Sequence, residues 1–519
     1  MSCRDKCREM GYDDGIEYGF TKKYVETRNW GIWELFREVV QNALDEVHEV
    51  TGYRPTEYPC RVEYRPDVGS VTLVEDTGRG LSIHHLLVGT SEKKPWQRGK
   101  FGEGLKLSLL AATAQGIKVL MRSGDKEILP TFVTREIEGR PFDIFCVCYK
   151  KGLPEIAGTR VEISGYGLCD EFKNRFIQGL PSECKLYTYQ EVSMERPVWY
   201  DVVDKSCTNN EPYIYVRDIY VSTMKEAAER DACFSYNLFN IVIDESRRIP
   251  SGGSLRDNVR VVWKHVVDSA SMYNDAFSLL KRLMACMISN CNVKAGPSLA
   301  VEADMDTFWY VTADKYPIIR RAFNELYGEE TVVVHSAELY SYAQYVGAKH
   351  IYCPNPIGYS LEHILGTVER LRSYIEKRIG REVKKEEMKP ETRIAVEVLE
   401  KIASVLIHYG DYNVAIKYAV MDPKFEGIAD RPLRTIIVNI TSLERMCKPG
   451  SHWYYCVEWY IGVVGHELAH IVSNANDGTT EFEMALTTIM SEATSNAIVN
   501  AEKVRELVLE LARAEIRVY

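Results

Sequence analysis

No uninterrupted apolar run in this chain approaches the roughly 20 residues a helix needs to cross a bilayer. Residues 1–12 are polar and lack the apolar core of a secretory leader. These two absences predict a cytoplasmic protein with no membrane partner. No two of the fourteen cysteines are spaced as CxxC, which argues against zinc-knuckle and thioredoxin-type readings. Most of the cysteines then read as buried apolar residues. Structural disulfides would suit a hyperthermophile better than an ordinary cytosol. There is no internal repeat and no low-complexity tract. Positive charge is in deficit, with 64 Lys and Arg against 74 Asp and Glu, a formal net charge of −10. The molecule as a whole is therefore not a basic nucleic-acid binder. One local basic run, Arg247, Arg248, Arg256, Arg260, Lys264 and His265, reads most simply as a solvated face.

What is present is ample for a large core. Hydrophobic residues make up 45% and charged residues 27% of 519, the balance of a globular chain of three or four domains. Polar breaks near residues 179–181, 250–253 and 295–297, and a charged stretch over 370–393, divide it into 1–180, 181–295, 296–375 and 376–519. The fold class predicted is a multidomain α/β protein.

Residues 33–46 carry apolar side chains at helical spacing. Glu38, Asn42 and Asp45 lie four and three apart, so they leave one helical face. The Asn carbonyl is a hard oxygen ligand for Mg²⁺, and the Glu can orient and deprotonate a water. A β-branched run then ends in Asp76-Thr77-Gly78-Arg79-Gly80. An Asp at a strand end can accept from an exocyclic purine amine, and Gly78 and Gly80 let backbone approach the base. Gly99, Gly102 and Gly104 open a helix over 107–115, where free N–H groups face phosphate. Gly158-Thr159 leads into a strand over 160–163.

ExxxNAxD, DxGxG, GxxGxGLK and GTxVxI, in that order within the first 165 residues, are similar to the ATP-site boxes of the GHKL superfamily. That group includes gyrase B, MutL, the MORC proteins, heat-shock chaperones and histidine kinases. The resemblance implies a Bergerat-type α/β sandwich, a mixed sheet with helices on one face, binding ATP with Mg²⁺. It implies Glu38 as general base, Asn42 as Mg²⁺ ligand and Asp76 as the adenine-reading carboxylate supported by Thr159. Gly99, Gly102 and Gly104 would cradle phosphate and Lys106 would reach it. Asp45 is either a pocket-lining acid or a partner of an Arg or Lys. Residues 82–104 would form the lid, and closure by nucleotide-dependent homodimerisation is implied.

Residues 181–295 stand where this family places a transducer-like α/β domain. Strands are predicted over 213–216 and 239–243, followed by Arg247, Arg248 or Lys264 as a phosphate-contacting cation. Residues 296–375 alternate strand and helix patterns, with strands over 331–334 and 351–354, as a small α/β domain.

The C-terminal region holds HExxH in an apolar helical setting. His466 and His470 are four apart and can share one Zn²⁺, and Glu467 can act as base for a metal-bound water. The motif resembles that of zincin metallopeptidases. A strand over 434–439 would be their edge strand, and a helix over 391–408 the backing helix of a mainly helical domain. No metzincin glycine–histidine pattern follows, so a carboxylate must be the third ligand, as in gluzincins. Glu483 is the first choice, then Glu481, then Asp477.

Two functions follow: an ATP-driven zinc metallopeptidase acting on a protein substrate, or a MORC-, MutL-, topoisomerase- or chaperone-like clamp on nucleic acid or protein clients with a structural zinc. The intact Glu467 favours the first. A histidine kinase lacks support, because no phospho-acceptor helix pair precedes the ATP boxes.

Overall fold

The computed structural model describes residues 2–26, 30–87, 94, 97–98, 104–193, 196–241, 243–244, 247, 249, 252–289, 291, 312–354, 356–448 and 452–518. The fold is mixed α/β and falls into two compact units, within Met1–Leu279 and within Leu280–Gly296 plus Asp306–Tyr519. Gly99 and Gly102, Arg248 and most of the predicted lid lie outside the described residues.

The first unit is built on a seven-stranded sheet: β1 (Asp14–Thr21), β2 (Cys60–Arg65), β3 (Gly69–Glu75), β4 (Val119–Gly124), β5 (Lys126–Ile137), β6 (Arg140–Lys150) and β7 (Ile156–Ser164). Their order is β1-β6-β5-β4-β7-β3-β2. Every neighbouring pair is antiparallel, which corrects the mixed sheet expected. The reason is local: β2–β3 and β4–β5–β6 are joined by short turns, and a short turn can only return a strand antiparallel.

The helix Ile32–Thr51 lays Leu35, Phe36, Val39, Val40, Ala43 and Leu44 against this sheet. Gly52 ends it in the left-handed region at φ 74°, donating to His48 O, a conformation glycine adopts at little cost. The helix Gly104–Ala114 adds Leu109, Leu110, Ala111 and Ala112 to the same core. On β6, Phe145 and Val147 face that core, while Cys146 and Cys148 face the other side, as strand alternation requires. There they meet Cys3 and Cys7, one turn apart on the helix Cys3–Glu9, in the disulfides Cys3–Cys146 and Cys7–Cys148. One short helix therefore also packs on the opposite face, at its β1–β6–β5 end. All fourteen cysteines are disulfide-bonded, a pairing that composition left open, and most of them are buried as expected. Such pairing belongs to oxidising compartments or to hyperthermophile interiors. No helix among the described residues is long and apolar enough to cross a membrane.

A second sheet, β8 (Lys185–Ser193), β9 (Arg196–Val203), β10 (Tyr213–Val216), β11 (Ile219–Thr223) and β12 (Ser235–Leu238), runs in the order β11-β10-β12-β9-β8. Only β10–β12 is parallel. The strand predicted over 239–243 falls earlier, at β12. The helix Gly252–Ser269 packs on this sheet through Trp263, whose indole donates to Tyr236 Oη at 2.8 Å.

The second unit holds a parallel pair, β13 (Val332–Val334) and β14 (His350–Tyr352), and a four-stranded sheet of β15 (Ile379–Glu382), β16 (Ala415–Met421), β17 (Gly427–Asp430) and β18 (Thr435–Asn439), ordered β15-β16-β18-β17. The helices Pro390–Leu406, Trp453–Ser473 and Thr480–Val499 share its main core. The strand predicted over 434–439 is β18, but it is interior. The edge strand beside the HExxH helix is β17, and a Cβ at Gly427 would lie 2.8 Å from Val463 and 2.9 Å from Glu467.

Candidate functional site

Two constellations emerge, one in each unit. In the first, the helix Ile32–Thr51 carries a polar stripe beside its apolar face: Glu38, Gln41, Asp45 and His48 are all buried, with half-buried Asn42 between them. Glu38 accepts from Arg37 at 3.0 Å and from Gln41 at 3.5 Å, and Arg247 Nε stands 3.9 Å away. A Cβ added at Gly104 would lie 2.1 Å from Glu38 Oε2. Gly104 thus lies so close to the ExxxN helix that a side chain there would displace Glu38. Asp45 accepts the Arg98 backbone N–H at 2.8 Å and also pairs with its guanidinium. Lys106 is buried and donates to Leu87 O at 2.5 Å. Burial lowers the Arg247 pKa to about 10, against the pull of Glu38. Lys264 is exposed on the helix Gly252–Ser269.

Two turns further along the same helix, Glu46 meets the DxGxG loop. Arg79 donates to it from Nε at 2.6 Å, and a Cβ at Gly78 would collide with its side chain. Asp76, at the end of β3, accepts from Gly78 N at 2.9 Å and Thr159 N at 3.3 Å, and its own N–H donates to Thr159 O at 3.0 Å. Thr159 Oγ1 lies 3.0 Å from Ser123 Oγ, which receives Leu81 N at 2.5 Å. Gly158 (φ 67°) and Gly80 (φ 78°) are tightly placed: a Cβ at Gly158 would sit 2.1 Å from Asp76 O, and one at Gly80 3.0 Å from Ser123 Oγ. Burial pushes the Asp76 carboxyl up to about 6, although the Gly78 amide favours its ionised form. Asp76 Oδ1 takes both backbone donors. Among the described residues no hydrogen bond reaches Oδ2, leaving it as an acceptor at the foot of the helix.

The second constellation surrounds the helix Trp453–Ser473. His466 Nε2 and His470 Nε2 are 3.2 Å apart, and Asp477 Oδ1 is 3.2 Å from the first and 3.4 Å from the second. The aspartate arrives because Asn474 ends the helix in the left-handed region at φ 54° and turns the chain back. Arg431 fixes that reversal, donating to Asn474 O at 3.2 Å, Ala475 O at 2.6 Å and Asn476 Oδ1 at 2.9 Å. His470 Nδ1–H donates to Ala475 O at 2.8 Å, which leaves Nε2 with its lone pair toward the other two donors. Burial lowers the His470 pKa to about 4.

Glu483 is exposed and lies outside this group, as is Glu481. The helix Thr480–Val499 turns Phe482 inward to stack on the His470 ring at 4.4 Å, and its neighbours at 481 and 483 consequently point out. The carboxylate grouped with the two histidines is Asp477, the last of the three weighed from sequence.

Glu467 is buried, and Tyr345 Oη donates to its Oε2 at 3.0 Å while accepting the Ala429 N–H at 3.0 Å. Burial pushes the Glu467 carboxyl up to about 7, against that hydrogen bond. Asp477 and His466 are open to solvent and His470 is not, so the group is approached from one side. Sequence reasoning missed Tyr345, 122 residues from Glu467, and Arg431, 43 to 45 residues from the turn it holds. The Asn476-Asp477-Gly478 turn signal was the one available pointer to a chain reversal there. A third cluster, the sulfurs of Cys3, Cys7 and Cys146, is consumed by disulfides. No protein-family model matches this chain, and no curated protein matches it.

Proposed function

We propose that this chain is an ATP-hydrolysing protein of GHKL type that also carries a zinc-dependent peptidase centre. The observation that carries the zinc half is the donor spacing. A tetrahedral ion with bonds of about 2.0–2.1 Å holds its donors roughly 3.3–3.4 Å apart, and His466, His470 and Asp477 stand 3.2–3.4 Å apart. The residues fit the ion, with Asp477 in place of the Glu483 favoured from sequence. A structural zinc is normally closed by four protein ligands; three donors with an open side, beside a buried Glu467, support catalysis over the structural-zinc clamp. When bound, zinc supplies a Lewis acid that brings water near a pKa of about 7. Glu467 accepts the water's proton and returns it to the leaving amine, and Tyr345 holds that carboxylate in place.

The nucleotide half rests on one helix serving two ends. Asp76 and Thr159 sit near Glu46, and Gly104 sits against Glu38, eight residues or ~12 Å away along the axis. The base would lie at the Asp76 end, its amine on Oδ2, and the phosphates near Gly104. Asn42, between them, would hold Mg²⁺. Glu38 orients the attacking water, and Arg247 is the cation placed for the phosphate. Calorimetry with Mg·ATP and a phosphate-release assay test this half: micromolar to millimolar binding with slow turnover is expected, and no binding would overturn it. Nucleotide-dependent homodimerisation belongs to the same proposal.

A further inference from the structure

The turn between β10 and β11 has two central residues, Arg217 (φ 54°) and Asp218 (φ 73°), both left-handed. Hairpins of this length favour Asn-Gly, because other residues are strained there. Both strained residues grip the same dipeptide, Gln97-Arg98, which immediately precedes the glycine run in sequence. Arg217 Nη1 donates to Gln97 O at 2.6 Å, and Arg98 Nη2 donates to Asp218. Arg247, also left-handed at φ 57°, donates to Arg98 O at 3.3 Å.

The turn is locked from behind. Asp218 also accepts from Arg54 at 2.6 Å, Asn237 at 2.9 Å and Gln178 at 3.0 Å. Burial works against its charge, but Arg54 and Arg98 overcome it and hold the carboxyl well below the usual range. From the other side Asp45 takes the Arg98 amide. Yet Nε of both Arg98 and Arg217 is buried without an acceptor among the described residues.

We propose that Arg217 and Asp218 are positioning residues of the first site, a strained clamp that holds Gln97-Arg98 against Asp45 on the Glu38 helix and so sets Glu38 for phosphate chemistry. The inference rests on the nucleotide reading above. Arg217→Gly tests it, because glycine relieves the strain while deleting the contact. The melting temperature should stay within about 2 °C of wild type, exchange of the Arg98 amide should accelerate, and kcat for ATP should fall ~10-fold with a smaller change in KM. Arg217→Lys, which restores a donor to Gln97 O, should recover most of the rate. Wild-type turnover in Arg217→Gly would overturn the proposal, and so would a melting temperature that falls in step with activity. Failure of the wild type to bind ATP by calorimetry would instead remove the nucleotide reading itself.

Discussion

Replacing Asp76 by Asn should stabilise the protein while weakening the ATP binding proposed for it. Asp76 is largely buried at the end of β3, and its carboxyl titrates at about 6 instead of 3.8. A carboxyl whose folded pKa lies above its unfolded value stabilises the fold most below the unfolded pKa. That contribution is lost as pH rises through about 6. At 1.36 kcal/mol per tenfold, the rise from 3.8 to about 6 sets an upper bound of ~3 kcal/mol for the cost of ionised Asp76 at pH 8. The amide keeps the acceptor for Gly78 N and Thr159 N and carries no charge. Asp76→Asn should therefore gain about 1–3 kcal/mol at pH 8 and close to nothing at pH 4, where wild-type Asp76 is protonated. The ligand effect runs the other way. Oδ1 takes both backbone donors, so protonation or amidation makes the Oδ2 position a donor that cannot receive an exocyclic amine; wild-type affinity for ATP should therefore fall about tenfold between pH 7 and pH 5, and Asp76→Asn should bind on the order of a hundredfold more weakly than wild type at pH 7 and about tenfold more weakly at pH 5. Denaturant titration at pH 4 and 8 and calorimetry at pH 5 and 7 measure both. An Asn variant that binds ATP like wild type, or that is no more stable at pH 8, would refute the reasoning.

Three other outcomes are expected. His470→Ala or Asp477→Ala should lower zinc affinity at least tenfold to a hundredfold, whereas Glu483→Ala should leave it unchanged, as read by competition with a chelating dye. Tyr345→Phe removes the hydroxyl between Glu467 and the Ala429 N–H; it should cost about 1–3 kcal/mol of stability and lower kcat for peptide cleavage while zinc content holds. Glu38→Ala should bind ATP but turn it over 10²–10⁴-fold more slowly, and sedimentation should show more dimer with ATP than without. An unchanged mass across nucleotide states would contradict the clamp.

What could be read from sequence was what is local. Glu38, Asn42 and Asp45 at helical spacing, Asp76 at a strand end, and His466 and His470 one turn apart follow from a single element's period. Partners supplied by distant chain were hidden. Cys3 pairs with a residue 143 positions on and Cys60 with one 109 on, so no spacing rule exposes them. Asp45 was ambiguous because its partner Arg98 comes from a separate segment. Glu483 looked well placed on an apolar helix, but burying Phe482 on His470 turns Glu483 outward. Asp477, in a short polar turn, reaches the histidines only because Arg431 pins the loop behind it.

The most direct measurement of the central claim is zinc content and cleavage of an unfolded protein substrate by wild type and Glu467→Gln, with and without ATP. Cleavage can respond to ATP only if ATP favours a conformation in which the peptidase centre works better. The account predicts one zinc per chain in both proteins, cleavage by wild type alone, and a rate that changes when ATP is added. A wild type without zinc, or cleavage that survives Glu467→Gln, would contradict it.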